Sequence, residues 1–298
     1  MADAFLRLPA ADRREVLSVA ADRSGRPAHL LEKDAWVVWA LAALYGSPLG
    51  ERLVFKGGTS LSKAYGVIRR FSEDVDLTYD IRALAPDLVG DNGDCLPKNR
   101  SEEKRWSSEV RKRLPEWVAG TVQPVVAEAL ASGPLAAAIR VENDKLFIDY
   151  EATTTGSGYV APIVMLEFGA RSTGEPASFR DVVCDAAGLV DGVDFPSARP
   201  RVMHAERTFW EKATAIHVFC LQERLVAIAS RGTGMTLRAS TKRASRPRPL
   251  PIVNWRTPSL DTRRCSSRRK LPIARRSVTQ PRSTAVCNWS RLATVQRH

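Results

Sequence analysis

The first 223 residues predict a fold that mixes helices and strands, of either the α/β or the α+β class. Three observations support this prediction. Long segments repeat apolar residues at helical spacing, short segments alternate apolar and polar residues as strands do, and the two kinds of segment are interspersed along the chain. A hydrophobic content of 44% and a charged content of 26% are ordinary for a globular protein.

The spacing of apolar residues places the elements in order. Helices are predicted over residues 6–21, 30–45, 59–70 and 205–222, with a longer helical region over 105–132 that breaks near Pro115 and Pro124. Strands are predicted over 52–55, 74–79, 138–141, 145–150 and 163–168, and a Gly156-Ser157-Gly158 loop separates the last two. The helix over 30–45 is apolar on a broad face and should be largely buried, although it also carries the cluster Glu32-Lys33-Asp34.

The net charge of +12 comes from the C-terminal tail. From Arg224 to His298 the chain has 18 Lys and Arg but one acid, Asp261, so the tail carries +17 and the preceding residues −5. A basic surface on the whole protein is therefore excluded as an argument for nucleic-acid binding. No apolar run approaches the roughly 20 residues that span a bilayer, and the N-terminus lacks the apolar core of a signal peptide. We expect a cytoplasmic protein with no membrane partner.

The tail, residues 224–298, is rich in Arg, Ser, Thr and Pro and has no helical or strand periodicity. It could be a disordered basic arm that binds nucleic acid, or a solvated linker. A third hypothesis is a frameshift between about Leu221 and Arg231. If each codon starts one base earlier, Gly232 to Thr236 can encode His-Trp-His-Asp or His-Trp-Tyr-Asp, a sequence with globular character.

The first chemical motif is Lys56-Gly57-Gly58-Thr59-Ser60, where a predicted strand ends and a helix begins, with Thr59 or Ser60 placed to cap it. Two glycines let backbone N–H groups approach a phosphate because no Cβ stands in the way. The Ser60 hydroxyl can donate to the same oxygens. The motif differs from the P-loop pattern, and alone it would be better explained by a tight turn with no ligand.

The second motif is Asp74-Val75-Asp76 in a predicted strand. Residues two apart on a strand point to the same side, so the two carboxylates should lie together, where their repulsion favours a bound cation. Mg²⁺ is held by carboxylates and substrate phosphates, and two ions can stabilise an in-line displacement. A solvated strand face is the alternative, but a glycine turn, a helix and Asp-x-Asp within 20 residues are more specific to phosphate chemistry.

Two further residues are candidates for the same site. Glu167 interrupts an apolar run, where an unpaired carboxylate would be costly, so a metal or a basic partner is expected beside it. A structural ion pair is the alternative for Glu167. Lys212 lies in the helix over 205–222, where a solvated lysine is the simpler interpretation, and Glu211 and Arg207 are four residues apart and can pair on its surface.

Three segments together resemble the AbiEii/AbiGii nucleotidyltransferase toxin family: KGGTSLSKAYGVIRRFSEDVDLTYD at 56–80, LEKDAWVVWAL at 31–41 and RTFWEKATAIH at 207–217. Members of this family are toxins of toxin–antitoxin and phage abortive-infection systems, in the DNA-polymerase-beta-like nucleotidyltransferase superfamily. The resemblance covers about residues 1–223. It implies an α+β fold with a mixed-sheet nucleotidyltransferase core, flanking helices and a helical C-terminal part.

The resemblance also implies roles for particular residues. Asp74, Asp76, Glu167 and Lys212 would be catalytic, and the three acids would bind Mg²⁺, with two ions expected. The nucleotide-binding residues would be Lys56, Gly57, Gly58, Thr59, Ser60 and Lys63. The substrate would be an NTP, the acceptor an RNA such as tRNA, and a cognate antitoxin would be a partner.

The resemblance further implies a division of the chain into N-terminal helices (1–50), a nucleotidyltransferase core (51–200), the start of a helical C-terminal domain (201–223) and the basic tail (224–298). The family places a further Asp after the lysine helix, in a His-Trp-[His/Tyr]-Asp-like segment that this chain lacks and the shifted frame restores. Two alternatives to a nucleotidyltransferase toxin therefore stay open. One is an inactive frameshifted remnant that binds nucleotide or antitoxin, and the other is a nucleic-acid-binding protein acting through its tail.

Overall fold

The computed structural model describes residues 3–69, 74–90, 95–133, 135–154 and 161–221. The predicted α+β class is confirmed. The helices are α1 (Ala10–Ser24), α2 (Ala28–Tyr45), α3 (Gly57–Lys63), α4 (Ile81–Leu84), α5 (Pro86–Val89), α6 (Arg100–Trp117), α7 (Gln123–Ser132) and α8 (Ala205–Leu221). The strands are β1 (Asp3–Ala4), β2 (Leu53–Lys56), β3 (Asp74–Tyr79), β4 (Ala137–Glu142), β5 (Lys145–Tyr150), β6 (Ile163–Gly169), β7 (Ala177–Phe179), β8 (Val182–Val183), β9 (Val193–Asp194), β10 (Ser197–Ala198) and β11 (Arg201–Met203).

Seven strands form one mixed sheet in the order β4-β5-β6-β3-β2-β11-β7. The pairs β3–β6 and β2–β11 are parallel, whereas β4–β5, β5–β6, β2–β3 and β7–β11 are antiparallel. The alternation that predicted the strands also separates the two faces of this sheet. On β6, Val164, Leu166 and Phe168 are buried, while the residues between them, including Glu167, are partly exposed.

The buried face of the sheet packs against helices. Trp36 of α2 stacks on Tyr150 of β5, with ring centroids 5.1 Å apart, and Trp117 of α6 meets Phe168 of β6 edge-on at 5.7 Å. Fully burying each such side chain stabilises the fold by about 1.5–3 kcal/mol. The predicted burial of the second helix is confirmed, and its charged cluster is buried with it: Glu32, Lys33 and Asp34 are each at most 2% exposed.

Several elements differ from the prediction in extent. The helix after the glycine turn begins at Gly57 and ends at Lys63, where residues 59–70 were predicted, because the glycines themselves form its first turn. The long helical region breaks over Val118–Val122, a π-helical turn between the two prolines. Within the described residues, the strands after residue 176 are two or three residues long, too short for periodicity to reveal.

Some predictions concern residues outside the described ranges. These are the basic tail over 224–298, the Gly156-Ser157-Gly158 loop and the end of the helix predicted over 59–70. Among the helices that are described, none combines the length and apolar character needed to cross a membrane.

Candidate nucleotidyltransferase site

The site is built on the turn at Gly57, where the buried strand β2 passes into α3. Gly57 has φ +79°, a left-handed conformation that residues with a Cβ rarely adopt. A Cβ at this position would lie 2.6 Å from Cγ of Asp76 and 2.8 Å from its Cβ. The missing side chain therefore lets the backbone of the turn contact the Asp76 carboxylate directly.

A row of charged residues crosses four neighbouring strands of the sheet. Lys56 on β2 is opposite Asp76 on β3, Asp76 is opposite Glu167 on β6, and Glu167 is opposite Lys145 on β5. Residues directly opposite in adjacent strands share a face of the sheet, so the four side chains project from one face. The sheet thus places two carboxylates next to each other, with a lysine on each side.

The pKa of Asp76 reflects this crowding. Burial raises the pKa of the Asp76 carboxyl most, and the negative charges of Glu167 and Asp74 raise it further, while Lys56 and Lys212 oppose the shift. Groups on four elements therefore act on the same carboxylate, and the like charges beside it create a need for a cation.

Asp74 lies two residues before Asp76 on β3, on the same face and opposite Met165 of β6. It is exposed, whereas Asp76 is partly buried. The structure therefore brings Asp74, Asp76 and Glu167 to one face of two parallel strands.

The interpretation of Glu167 as a buried acid was wrong, because its side chain is 43% exposed. Its strand alternates, and Glu167 lies on the open face while its apolar neighbours fill the core. The expected basic partner is Lys145, whose Nζ lies 3.0 Å from Oε2 of Glu167. This hydrogen bond raises the pKa of Lys145. Sequence reasoning missed Lys145, because only the register of β5 against β6 reveals its position.

Thr59 and Ser60 hold the turn in place. The Thr59 hydroxyl donates to the backbone oxygen of Asp74, and Ser60 Oγ donates to the Gly57 oxygen at 3.0 Å. Both residues are almost fully buried. Their hydroxyls thus tie α3 to β3 and close the first turn of the helix. Phosphate contact by Thr59, Ser60 or Gly58 stays a prediction.

Lys63 has different contacts from those expected of a phosphate ligand. Its Nζ lies 2.7 Å from Oδ1 of Asp34 and 2.9 Å from Oδ1 of Asp185, and its side chain is only 9% exposed. Burial alone would lower the pKa of Lys63, but the two carboxylates raise it above its ordinary value. The ammonium therefore joins α3 to α2 and to the segment that follows β8.

The helix α8 brings Lys212 close enough to Asp76 for its positive charge to oppose the rise in the pKa of the Asp76 carboxyl. The expected surface pair on this helix is present, with Arg207 Nε 3.3 Å from Oε1 of Glu211. Trp210 and Val218 on the same helix are 58% and 41% exposed. The structure therefore brings Lys212 to the carboxylates and leaves apolar side chains of α8 in solvent.

The donor set fits Mg²⁺ as nucleotide-handling enzymes bind it. The described residues include no group of three His, Cys, Asp or Glu side chains close enough to enclose a metal by themselves. Mg²⁺ does not need such a cage, because one or two carboxylates and substrate phosphates commonly hold it. Asp76 and Glu167, adjacent and mutually repelling, supply that partial set.

A known protein family matches most of this chain. The family described as "Nucleotidyl transferase AbiEii toxin, Type IV TA system" matches residues 39–231. Among solved structures, the chain is similar to MenT4, a nucleotidyltransferase toxin from Mycobacterium tuberculosis H37Rv, with 18% sequence identity and a TM-score of 0.36. That match covers 66% of this chain and 57% of MenT4, so the chain spans little more than half of that protein. No curated protein sequence matches significantly. Because the family match extends over most of its length and includes the glycine turn and the carboxylates, this chain belongs to the AbiEii nucleotidyltransferase toxin family.

Proposed function

We propose that this protein is a Mg²⁺-dependent nucleotidyltransferase that transfers a nucleoside monophosphate from an NTP to an RNA, with tRNA as the expected acceptor. The observation that carries the proposal is the contact between the Gly57 turn and Asp76, with Glu167 on the adjacent strand. A phosphate held at the turn lies against the carboxylates that would hold the metal.

The position of each residue indicates its role in binding the nucleotide or the metal. The backbone of Gly57 and Gly58, with the Lys56 ammonium beside it, binds the triphosphate. Asp76 and Glu167 would hold Mg²⁺ together with substrate phosphate, with Asp74 as the third acid beside them and two ions expected, and Lys212 would contact phosphate from α8. When bound, Mg²⁺ stabilises charge on the attacking and leaving oxygens.

The reaction exchanges one phosphorus–oxygen bond for another. The acceptor hydroxyl oxygen bonds to the α-phosphorus, the bond from that phosphorus to the bridging oxygen breaks, and pyrophosphate leaves. Asp76 or Glu167 takes the hydroxyl proton as general base.

Modification of tRNA would arrest growth, which is the expected action of a toxin in a toxin–antitoxin or phage-defence system. A cognate antitoxin is the expected partner, and the cytoplasm, where NTPs and tRNA are found, is the expected compartment. Co-expression tests the partner: growth arrest should follow from this protein alone and be relieved by its antitoxin.

The activity is tested by incubating purified protein with Mg²⁺, total RNA and each labelled NTP in turn. Asp76→Ala should abolish labelling of RNA, whereas Asp181→Ala, a change at an acid 84% exposed, should leave it intact. The proposal is supported if RNA is labelled by the wild type and by Asp181→Ala but not by Asp76→Ala. Absence of label with the wild type, or equal labelling by Asp76→Ala, opposes it.

A second candidate is a silenced toxin, an inactive remnant produced by the frameshift. Two observations favour it: the family match ends at residue 231, within the region of the shift, and α8 leaves Trp210 and Val218 exposed near the last described residue. If the wild type is inactive but a chain with the frame restored after Gln222 labels RNA, the remnant hypothesis holds. Activity of the chain as it stands contradicts it.

A further inference from the structure

Lys145 is the first residue of β5 and lies in the charged row on the side away from Lys56. The row reads Lys56, Asp76, Glu167, Lys145 across β2, β3, β6 and β5. Neighbouring strands are about 4.8 Å apart, so the two lysines begin from backbones roughly 14 Å apart, with the carboxylates between them. The two carboxylates therefore have a lysine at each end, and Glu142 of β4 is opposite Lys145 on its other side.

The two ends are not equivalent. Lys56 directly precedes Gly57, whose backbone contacts Asp76, so the triphosphate belongs on the β2 side of the carboxylates. In an in-line displacement, the attacking oxygen approaches the phosphorus from the side opposite the leaving group. With pyrophosphate leaving toward Lys56, the acceptor strand enters from the side of Glu167 and Lys145.

The surroundings of Lys145 contain a second cation as well as acids. The neighbouring cation, Arg140 of β4, is 4.0 Å from the ring centroid of Phe147 and is paired with both Glu142 and Asp149. The single guanidinium therefore offsets only part of the charge of the two acids. Lys145 has three N–H donors and lies 3.0 Å from one carboxylate oxygen of Glu167, and its side chain is 36% exposed.

We propose that Lys145 binds a backbone phosphate of the acceptor RNA near its 3′ end and so directs the terminal hydroxyl toward Glu167 and Asp76. This inference rests on the proposed nucleotidyltransferase function and adds a residue for the acceptor, whereas Lys56 serves the nucleotide. The Lys145 ammonium would donate a charge-assisted hydrogen bond to that phosphate, while Glu167, its present partner, would hold the metal.

Transfer kinetics with the full chain test this role. We expect Lys145→Ala to raise KM for a tRNA or single-stranded RNA acceptor roughly tenfold and to leave KM for the NTP unchanged. Lys145→Arg should recover most of the loss. Lys104→Ala, at an exposed lysine of α6, is the matched control and should change neither constant.

The dependence on salt separates phosphate binding from a purely structural role. Each phosphate contact on a single strand contributes about 0.7 to the slope of log affinity against log salt concentration. A plot of log KM for the acceptor RNA against log salt concentration should therefore have a slope smaller by about 0.7 for Lys145→Ala than for the wild type.

An unchanged acceptor KM overturns the inference, as does a raised KM with an unchanged slope or a change confined to kcat or to KM for the NTP. A wild-type protein that transfers no nucleotide refutes the proposed function itself, and the inference with it.

Discussion

Replacing Gly57 with alanine should damage stability and activity together, because the turn has no room for a methyl group. A residue with a Cβ at φ +79° costs about 1–2 kcal/mol in backbone strain. The overlap with the Asp76 carboxylate adds about 1–3 kcal/mol unless that side chain moves. We therefore expect Gly57→Ala to lower the free energy of unfolding by about 2–5 kcal/mol.

The same overlap should reduce catalysis. A methyl group that displaces the Asp76 carboxylate by about 1 Å costs on the order of 100-fold in rate, since the reacting groups lose their alignment. Urea unfolding measures the stability, and the labelled-NTP assay measures the rate.

Gly188→Ala provides the matched control. Gly188 has nearly the same conformation, φ +75°, but a Cβ there would meet nothing within 4 Å. This variant should lose only the backbone contribution, about 1–2 kcal/mol, and keep its activity. If Gly57→Ala and Gly188→Ala prove equally stable and equally active, the reasoning about the turn is refuted.

Two further predictions concern buried charges. Lys63→Met should lower the free energy of unfolding by about 3–5 kcal/mol by leaving Asp34 buried without its partner, whereas Lys112→Met, at an exposed pair, should cost less than about 1 kcal/mol. The folded-state pKa of Lys63 is raised above its ordinary value of 10.5. Its contribution to the free energy of unfolding is therefore fully present below pH 10.5 and is lost as pH rises through the folded-state pKa. In urea unfolding, Lys63→Met should lack this loss of stability at alkaline pH. Burial likewise raises the pKa of Asp76, so the stability linked to its neutral form is present below about pH 3.8 and is lost as pH rises through the folded value. Without metal, Asp76→Asn should therefore have a higher Tm than the wild type at pH 7 and the same Tm at pH 3. Mg²⁺ should raise the Tm of the wild type but not that of the variant. A lower Tm for the variant at pH 7, or an equal rise in Tm with Mg²⁺ for both proteins, contradicts this prediction.

The strands that carry the site could be predicted from sequence, β3 because acidic and apolar residues alternate at its start and β6 because it is a short apolar run. The predicted bounds of β3 and β5 are those of the structure, and β6 is one residue longer than predicted. The face shared by Asp74 and Asp76 followed from the same period of two. Periodicity within a strand thus placed the carboxylates correctly.

What the sequence could not supply was the pairing between strands. The position of Lys145 beside Glu167 depends on the register of β5 against β6, which no local pattern records. The burial of Glu32 was equally hidden, because its carboxylate is satisfied by the backbone N–H groups and hydroxyls of Thr153 and Thr154, more than a hundred residues away. Contacts distant in sequence decide both cases.

The most direct test of the central claim asks whether Asp76 and Glu167 act as one site. Nucleotide transfer to RNA is measured for the wild type, Asp76→Asn, Glu167→Gln and the double variant. Residues that work as a unit give non-additive losses of activity. We therefore expect each single change to remove most of the transfer activity, and the double variant to be as active as the less active of the two single variants. Losses that multiply in the double variant, or full activity in either single variant, would contradict the account.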